Sequence, residues 1–444
     1  MSRLFPLFVV GILAIAGALW FAERPGRVEV EWLGYAVEAP VWLLFAAVAV
    51  LCVLAAFLYG LWRGLVGLPA RVRASRGAAR LRRGEAALAQ GMAAVAAGEA
   101  TAARRLARRA RDFLDDRPLT LLLAAQAAQL GGADDEAAEL YERLAADPDT
   151  AFLGVRGQYG LARRAGDAAQ ALAYARQAQV LRPDAPWATT TLFEIETDSG
   201  QWDAAARTLE KATKHRLVAA PDAKRRRAVL LLEKARETER AGGAEAALGL
   251  ARDAHRLVPD LVPANVCLAG LMTRAGRVRQ AEKLIESAWA AAPHPDLAAA
   301  YAAIHPDEPA LDRARRMERL ARRAPTHDES RLAVAEAGVA ARLWGEARAQ
   351  LDAVIAAADG QAPGRAYRLM ADVEDGEHGD AAAARDWLRR AAAAPPPPAW
   401  ICAECGTRHG VWRGRCESCN AFDSLAWRES EAPGAGPLLP VQSG

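Results

Sequence analysis

Near the C-terminus of this 444-residue chain stand Cys402-x2-Cys405 and Cys416-x2-Cys419, with ten residues between the pairs. Each Cys-x-x-Cys can chelate from one tight turn, and two such turns facing each other supply four thiolates at about 2.3 Å around a zinc ion. Iron is chemically possible in the same cage. Gly406, directly after the second cysteine, suits the positive φ of such a turn, and Asn420 in the matching place is the next most tolerant residue. Trp400, Trp412, Phe422 and Trp427 would give an apolar shell to a module too short to fold without metal. Four thiolates leave no open coordination position, so the expected role is structural or docking, not catalytic. His409, between the pairs, reads as a solvated loop residue. In a reducing compartment these cysteines bind metal, whereas outside the membrane they could form two disulfides.

What positions this module is a repeat. Ala103, Ala137, Ala171, Ala205, Ala247, Ala281, Ala314, Ala347 and Ala384 are separated by 34, 34, 34, 42, 34, 33, 33 and 37 residues. Five positions earlier stands Gly98, Gly132, Gly166, Gly200, Gly242, Gly276 or Gly379, with Pro309 and Arg342 replacing it in two units. A glycine can take φ > 0 and close the first helix of a pair, and the alanine lets the second helix approach closely. Seven positions after each alanine an apolar or small residue lies on the same face two turns on. Pro148, Pro183, Pro259, Pro293, Pro325 and Pro395 end second helices, because proline cannot continue them. A helix-turn-helix of about 34 residues resembles the tetratricopeptide repeat. Stacked pairs present an extended concave surface, the expected place for protein partners.

The chain begins with two apolar runs, Leu4–Ala22 and Pro40–Trp62, each long enough to cross a bilayer as a helix. The first could instead be a cleaved signal peptide, since Ser2 and Arg3 give it a short basic start. Only Arg24 and Arg27 lie between the runs, against Arg63, Arg71, Arg73, Arg76, Arg80, Arg82 and Arg83 just after the second. The positive-inside rule then places both termini in the cytoplasm. Val28, Val30 and Trp32 alternate with charged residues before Leu33-Gly34, which reads as two short strands and a turn or as an irregular aromatic-anchored loop. Arg63–Arg83 reads as a lipid-headgroup contact or merely as the topology signal.

The one long spacing, between Ala205 and Ala247, carries Lys211, Lys214, His215, Arg216, Lys224, Arg225, Arg226 and Arg227. Such a basic insertion is expected on a loop edge of the array, as a solvated face or as a contact for an acidic partner or the membrane. The net charge of +3 is small for this length and does not indicate a nucleic-acid binder. Cys52 and Cys267 stand alone in apolar stretches and read as small buried hydrophobes. No dinucleotide, phosphate-loop or nucleophile-elbow motif is present, and the other histidines are scattered, so no enzyme is expected.

Two apolar spans joined by a loop carrying Val30-Glu31-Trp32 and Gly34-Tyr35, then a basic stretch and tetratricopeptide repeats, resemble the HemY family of proteobacterial inner-membrane proteins. That resemblance implies a role in late protohaem synthesis or haem handling, with haem-pathway enzymes as partners. Cys402, Cys405, Gly406, Cys416 and Cys419 resemble the rubredoxin-like tail of the LapB proteins of lipopolysaccharide assembly, which implies the four cysteines as metal ligands and an adaptor controlling a lipopolysaccharide-synthesis enzyme as the other reading. LapB proteins have one span where this chain is expected to have two. A similar knuckle, Trp412-Arg413-Gly414-Arg415-Cys416, occurs in the RadA recombination proteins.

The expectation is therefore an all-α chain with a small metal-binding tail. It comprises a membrane hairpin at 1–62, a basic segment at 63–84, repeats at 85–394, a proline linker at 395–399, a four-cysteine module at 400–428 and a disordered tail at 429–444.

Overall fold

In a computed structural model, the described residues are Trp20, 27–32, 35–358 and 361–428. Apart from Trp20, the expected first span Leu4–Ala22 lies outside them, as does the tail beyond Arg428. The chain divides into two compact units, Met1–Leu140 and Tyr141–Gly444.

In the first unit, strands β1 (Arg27–Trp32) and β2 (Tyr35–Pro40) pair antiparallel with Trp32 opposite Tyr35, which fits the two-strand reading. Pro40, with φ −64° and ψ 139°, turns the chain directly into helix α1 (Val41–Ala96). Val48, Leu51, Val53, Leu54, Phe57, Leu58, Leu61 and Trp62 are exposed along the first third of α1. Such a run of exposed apolar residues is unusual for a helix packed on a water-facing core. Among the described residues, no helix is long and apolar enough to cross a membrane. The last turns of α1 bury Ala87 and Ala94. They lead through Gly98 into α2 (Ala100–Leu114), followed by α3 (Pro118–Leu130) and α4 (Asp134–Ala146).

The second unit continues as hairpins. Helices α5 (Ala151–Ala165) and α6 (Ala168–Leu181) are followed by α7 (Pro186–Asp198) and α8 (Trp202–Lys214). Then come α9 (Ala220–Arg240) with α10 (Ala244–Leu257), and α11 (Val262–Arg274) with α12 (Val278–Ala291). Helices α13 (Pro295–Ala303) with α14 (Ala310–Ala321), α15 (Asp328–Ala340) with α16 (Trp344–Ala357), and α17 (Gly364–His378) with α18 (Ala381–Ala393) complete the series.

The periodic residues do what their types dictate. All seven turn glycines have φ between +67° and +87°, and Arg342 adopts +58° in the same role. All nine alanines of the repeat are buried. The prolines at 148, 183, 259, 293, 325 and 395 each follow the end of a second helix. Where Pro309 replaces the glycine, no residue between 304 and 309 takes the left-handed conformation and α13 is only 9 residues long. Its end is held by the buried Arg316, which donates to the Tyr301 carbonyl at 2.6 Å, pairs with Glu308 at 2.7 Å and stacks on the Tyr301 ring. Charge-assisted bonds there satisfy helix-end carbonyls that a glycine turn would otherwise serve.

The basic insertion falls on a loop edge only in part, at His215 and Arg216. Most of its extra residues lengthen a first helix, α9, to 21 residues, so that Lys224–Arg227 lie within its N-terminal half.

Close helix approach also fixes Gly154 in α5, where a Cβ would stand 2.4 Å from the Ala145 nitrogen and 2.6 Å from the Tyr141 carbonyl oxygen. Gly249, inside α10, has nothing within 4 Å of its Cβ position. Gly154→Ala is therefore expected to destabilise the second unit by about 1–3 kcal/mol through overpacking against backbone, and Gly249→Ala to stabilise it by about 0.5–1 kcal/mol through helix propensity. Thermal unfolding of the two variants checks both signs; equal shifts would refute the packing argument.

Candidate metal centre

After the prolines, β3 (Ala399–Cys402) pairs antiparallel with β4 (Arg408–His409) on one side and β5 (Leu425–Arg428) on the other. Two equivalent turns hang from this small sheet. In the first, the Cys402 nitrogen donates to the Thr407 carbonyl at 3.0 Å and the Gly406 nitrogen to the Cys402 carbonyl at 2.9 Å. In the second, the Cys416 nitrogen donates to the Ala421 carbonyl at 3.0 Å and the Asn420 nitrogen to the Cys416 carbonyl at 2.9 Å. Gly406 and Asn420 have φ of +70° and +63°, the left-handed conformation that their residue types suggested.

The turns bring all four cysteine sulfurs within 4.8 Å of one another. Cys402 and Cys419 are 3.6 Å apart, as are Cys405 and Cys416. A tetrahedron with sulfurs about 2.3 Å from its centre has edges of about 3.8 Å, so the cage is of the size a zinc or iron ion requires. The sulfurs have polar support: Cys402 lies 3.2 Å from Ser424 Oγ and Cys405 3.2 Å from Thr407 Oγ1. The Thr407 hydroxyl and backbone N–H bring the Cys405 thiol down to about 6, favouring the thiolate that binds metal. His409 is not a solvated loop residue. Its side chain is 7% exposed, and Nε2 lies 3.3 Å from Cys416 Sγ, where a ring N–H can donate to the sulfur.

With the geometry of both ends described, comparison with known proteins adds a frame. Residues 26–132 match the HemY protein N-terminus, and residues 400–426 match the rubredoxin metal binding domain of the LapB zinc-ribbon type. Its two ends thus resemble proteins of two kinds, a HemY protein at the start and a LapB-type rubredoxin ribbon near the end. It is also similar to a probable magnetosome protein, Mms48, of Magnetospirillum gryphiswaldense, with 29% identity over 430 residues, 96% of this chain and 94% of that one. Among solved structures it is similar to a chain of Naa15/Naa10 bound to HypK-THB, at 11% identity and TM-score 0.34, covering 70% of this chain and 63% of that one. It is similar as well to the TPR2AB-domain:pHSP90 complex of yeast Sti1, at 14% identity and TM-score 0.27, covering 70% of this chain and 98% of that one.

The rubredoxin-type ribbon does not stand apart from the helices. Trp400, Cys402, Trp412, Cys416 and Leu425 form one buried cluster with Ala228, Val229 and Leu232 of α9 and with Ala254, Leu261 and Ala264. Phe422 packs edge-on against Phe193 of α7 with centroids 5.4 Å apart. The aromatic residues expected as an internal shell thus serve largely as the ribbon's docking face.

Polar contacts fix the register. Arg415 donates to Thr197 Oγ1 at 2.7 Å and pairs with Asp198 at 3.4 Å, while Asn420 donates to Asp198 at 2.7 Å. Arg225 pairs with Asp423 at 3.1 Å; burial pushes the Asp423 carboxyl up and the guanidinium opposes this. Glu233 accepts from the Gly414 nitrogen at 3.2 Å and from Arg236, which lies over the Trp412 ring. Trp400 Nε1 donates to Asp296 at 3.2 Å. None of these partners on the helices is legible in the sequence, because the pairs are separated by 104 to 222 residues. The only hint was an excess of aromatic residues over what a small ribbon can enclose.

His294 lies under this face. It is buried, with its ring 4.4 Å from that of Trp427 and 5.4 Å from that of Trp400. Its Nδ1 accepts from the Asp296 nitrogen, so Nε2 carries the proton. Burial lowers its pKa from 6.5, with Asp296 opposing. A depressed histidine contributes stability that is present above its unfolded pKa and is lost as pH falls through the folded value. Docking should therefore weaken as pH drops below about 6.5, and His294→Gln should flatten that part of the profile. Tryptophan fluorescence of metal-loaded wild type and variant checks this; superimposable pH profiles would exclude His294 as the cause.

Proposed function

We propose that the chain is a non-enzymatic, membrane-anchored adaptor whose repeats bind protein partners and whose ribbon, held by zinc on Cys402, Cys405, Cys416 and Cys419, is fixed on the array. The observation that carries the reading is the ribbon seated across first helices of successive hairpins, α7, α9, α11 and α13. Stacked helix hairpins and a cage whose four thiolates fill a tetrahedral ion's coordination are suited to holding polypeptides. Iron fits the same cage. Cys405→Ser is expected to reduce bound metal to a small fraction of the wild-type amount and to raise ribbon mobility; metal analysis showing full occupancy would remove Cys405 from the ligand set.

The exposed apolar run at the start of α1, preceded by the β1–β2 hairpin and the apolar run Leu4–Ala22, supports a two-span anchor with both termini cytoplasmic. The arginines between 63 and 83 would then face anionic headgroups, worth about 1 kcal/mol each near the surface. The domain limits given by the sequence are retained in this proposal.

For the process served, the HemY N-terminus supports late haem synthesis or haem homeostasis, with haem-pathway enzymes as partners. The LapB-type ribbon supports the second reading, an adaptor regulating a lipopolysaccharide-synthesis enzyme, and the likeness to Mms48 supports a magnetosome setting. The porphyrin and haem profile of depleted cells, against a complemented control, separates them. Accumulated porphyrin with falling haem is the expected outcome, whereas an unchanged profile would reject the haem reading. A separate truncated chain ending in a cytoplasm-active reporter after Arg83 should be fluorescent; a dark, periplasmic reporter would reject the topology.

A further inference from the structure

The ribbon covers only part of the first-helix face. Beside it, a cleft of about 860 Å³ remains between α5, α7 and the turn Cys419–Phe422. Its size falls within the roughly 300–1,000 Å³ of ordinary ligand sites, too small for a folded domain. The cleft continues the interface already described: Phe422, which packs on Phe193, and Asn420, which bonds Asp198, belong to both.

Its chemistry is mixed in a specific way. Tyr159 and Phe193 supply the helix side of an apolar floor, and Phe422 supplies the ribbon side. Around them stand charged side chains of both signs, of which Arg415 and Asp198 form a close pair at 3.4 Å. Arg163 bonds the Tyr159 hydroxyl at 3.4 Å and lies in the field of Glu194, while Arg226 lies in that of Asp423. The Glu194 carboxylate faces the charges of Arg163 and Arg415, and Glu404 stands on the ribbon side of the cleft. A lipid surface or a nucleic acid would call for a rim of one sign. An apolar floor rimmed by charges of both signs instead complements a polypeptide segment that places an apolar side chain between an acidic and a basic residue.

We infer that the partner site of this protein is this composite cleft, half repeat and half ribbon, and that its occupant is an extended segment of a protein partner with an apolar anchor flanked by charges of both signs. The inference rests on the adaptor reading and narrows it. The array alone supplies one wall; the other exists only while the four-cysteine turns are folded. Partner binding is thereby linked to the metal-holding turns.

The test uses the full metal-loaded chain in detergent as bait for a random dodecapeptide display library, with selected peptides resynthesised and their affinities measured. Enriched peptides should carry the apolar residue with flanking opposite charges. Thr190→Trp, which fills the cleft from an exposed position on α7, and Arg163→Glu should each weaken them at least tenfold with metal content unchanged. Removing the metal with a chelator should weaken them as much. Enriched peptides that bind the variants and the metal-free chain as well as the wild type would overturn the cleft and leave the adaptor reading standing. No enrichment would overturn the cleft as a peptide site, while the porphyrin profile judges the haem assignment separately.

Discussion

Two of the four clustered cysteines, Cys402 and Cys416, are 1% exposed and sit in the same apolar cluster as Ala228, Val229 and Leu232 of α9. The ribbon has three short strands and too few apolar residues to enclose a core by itself, so it completes its core on the helices. The rest of the second unit follows from that constraint. The helix that receives the ribbon is the one the sequence lengthens. Its added arginines supply Arg225 to the buried Asp423, and its middle presents the apolar Ala228, Val229 and Leu232 to the ribbon. Polar contacts at the margin then set orientation, as rim contacts do at interfaces generally, while the aromatic residues supply most of the buried surface.

This arrangement changes what a metal would do. In an isolated ribbon, metal binding stabilises only the ribbon. Here the thiolate turns carry Asn420, Phe422 and Asp423, so the geometry of the cage sets the geometry of the docking face and of one cleft wall. His409 and Thr407 tie the sulfurs to the sheet that also bears Trp400 and Trp427. Folding of the turns, docking and cleft formation are thus coupled through a few residues, and a change at one is felt at the others.

The repeat register tolerates exceptions in two different ways. Arg342 simply accepts the left-handed conformation, a local cost that the packing around it over-determines. Pro309 cannot, since its ring fixes φ near −65°, and the chain responds with a shortened helix whose end is held by Arg316 and Glu308. The basic insertion illustrates a third case, in which extra residues extend an element and one of them, Arg225, reaches a neighbouring module.

The sequence by itself determined the local structure. The 34-residue period, the turn glycines, the buried alanines and the terminating prolines are short-range requirements of backbone conformation and helix packing, each written within one repeat. The two thiolate turns, with Gly406 and Asn420 at positive φ, were legible for the same reason. Tertiary structure alone decided where the ribbon sits, that the 205–247 insertion receives it, that His409 lies against a sulfur, and that His294 is buried beneath Trp400 and Trp427. Those contacts join residues a hundred or more positions apart, or fix which way a loop side chain turns. No periodicity encodes them, because they depend on how successive small rotations between hairpins accumulate to bring distant surfaces together.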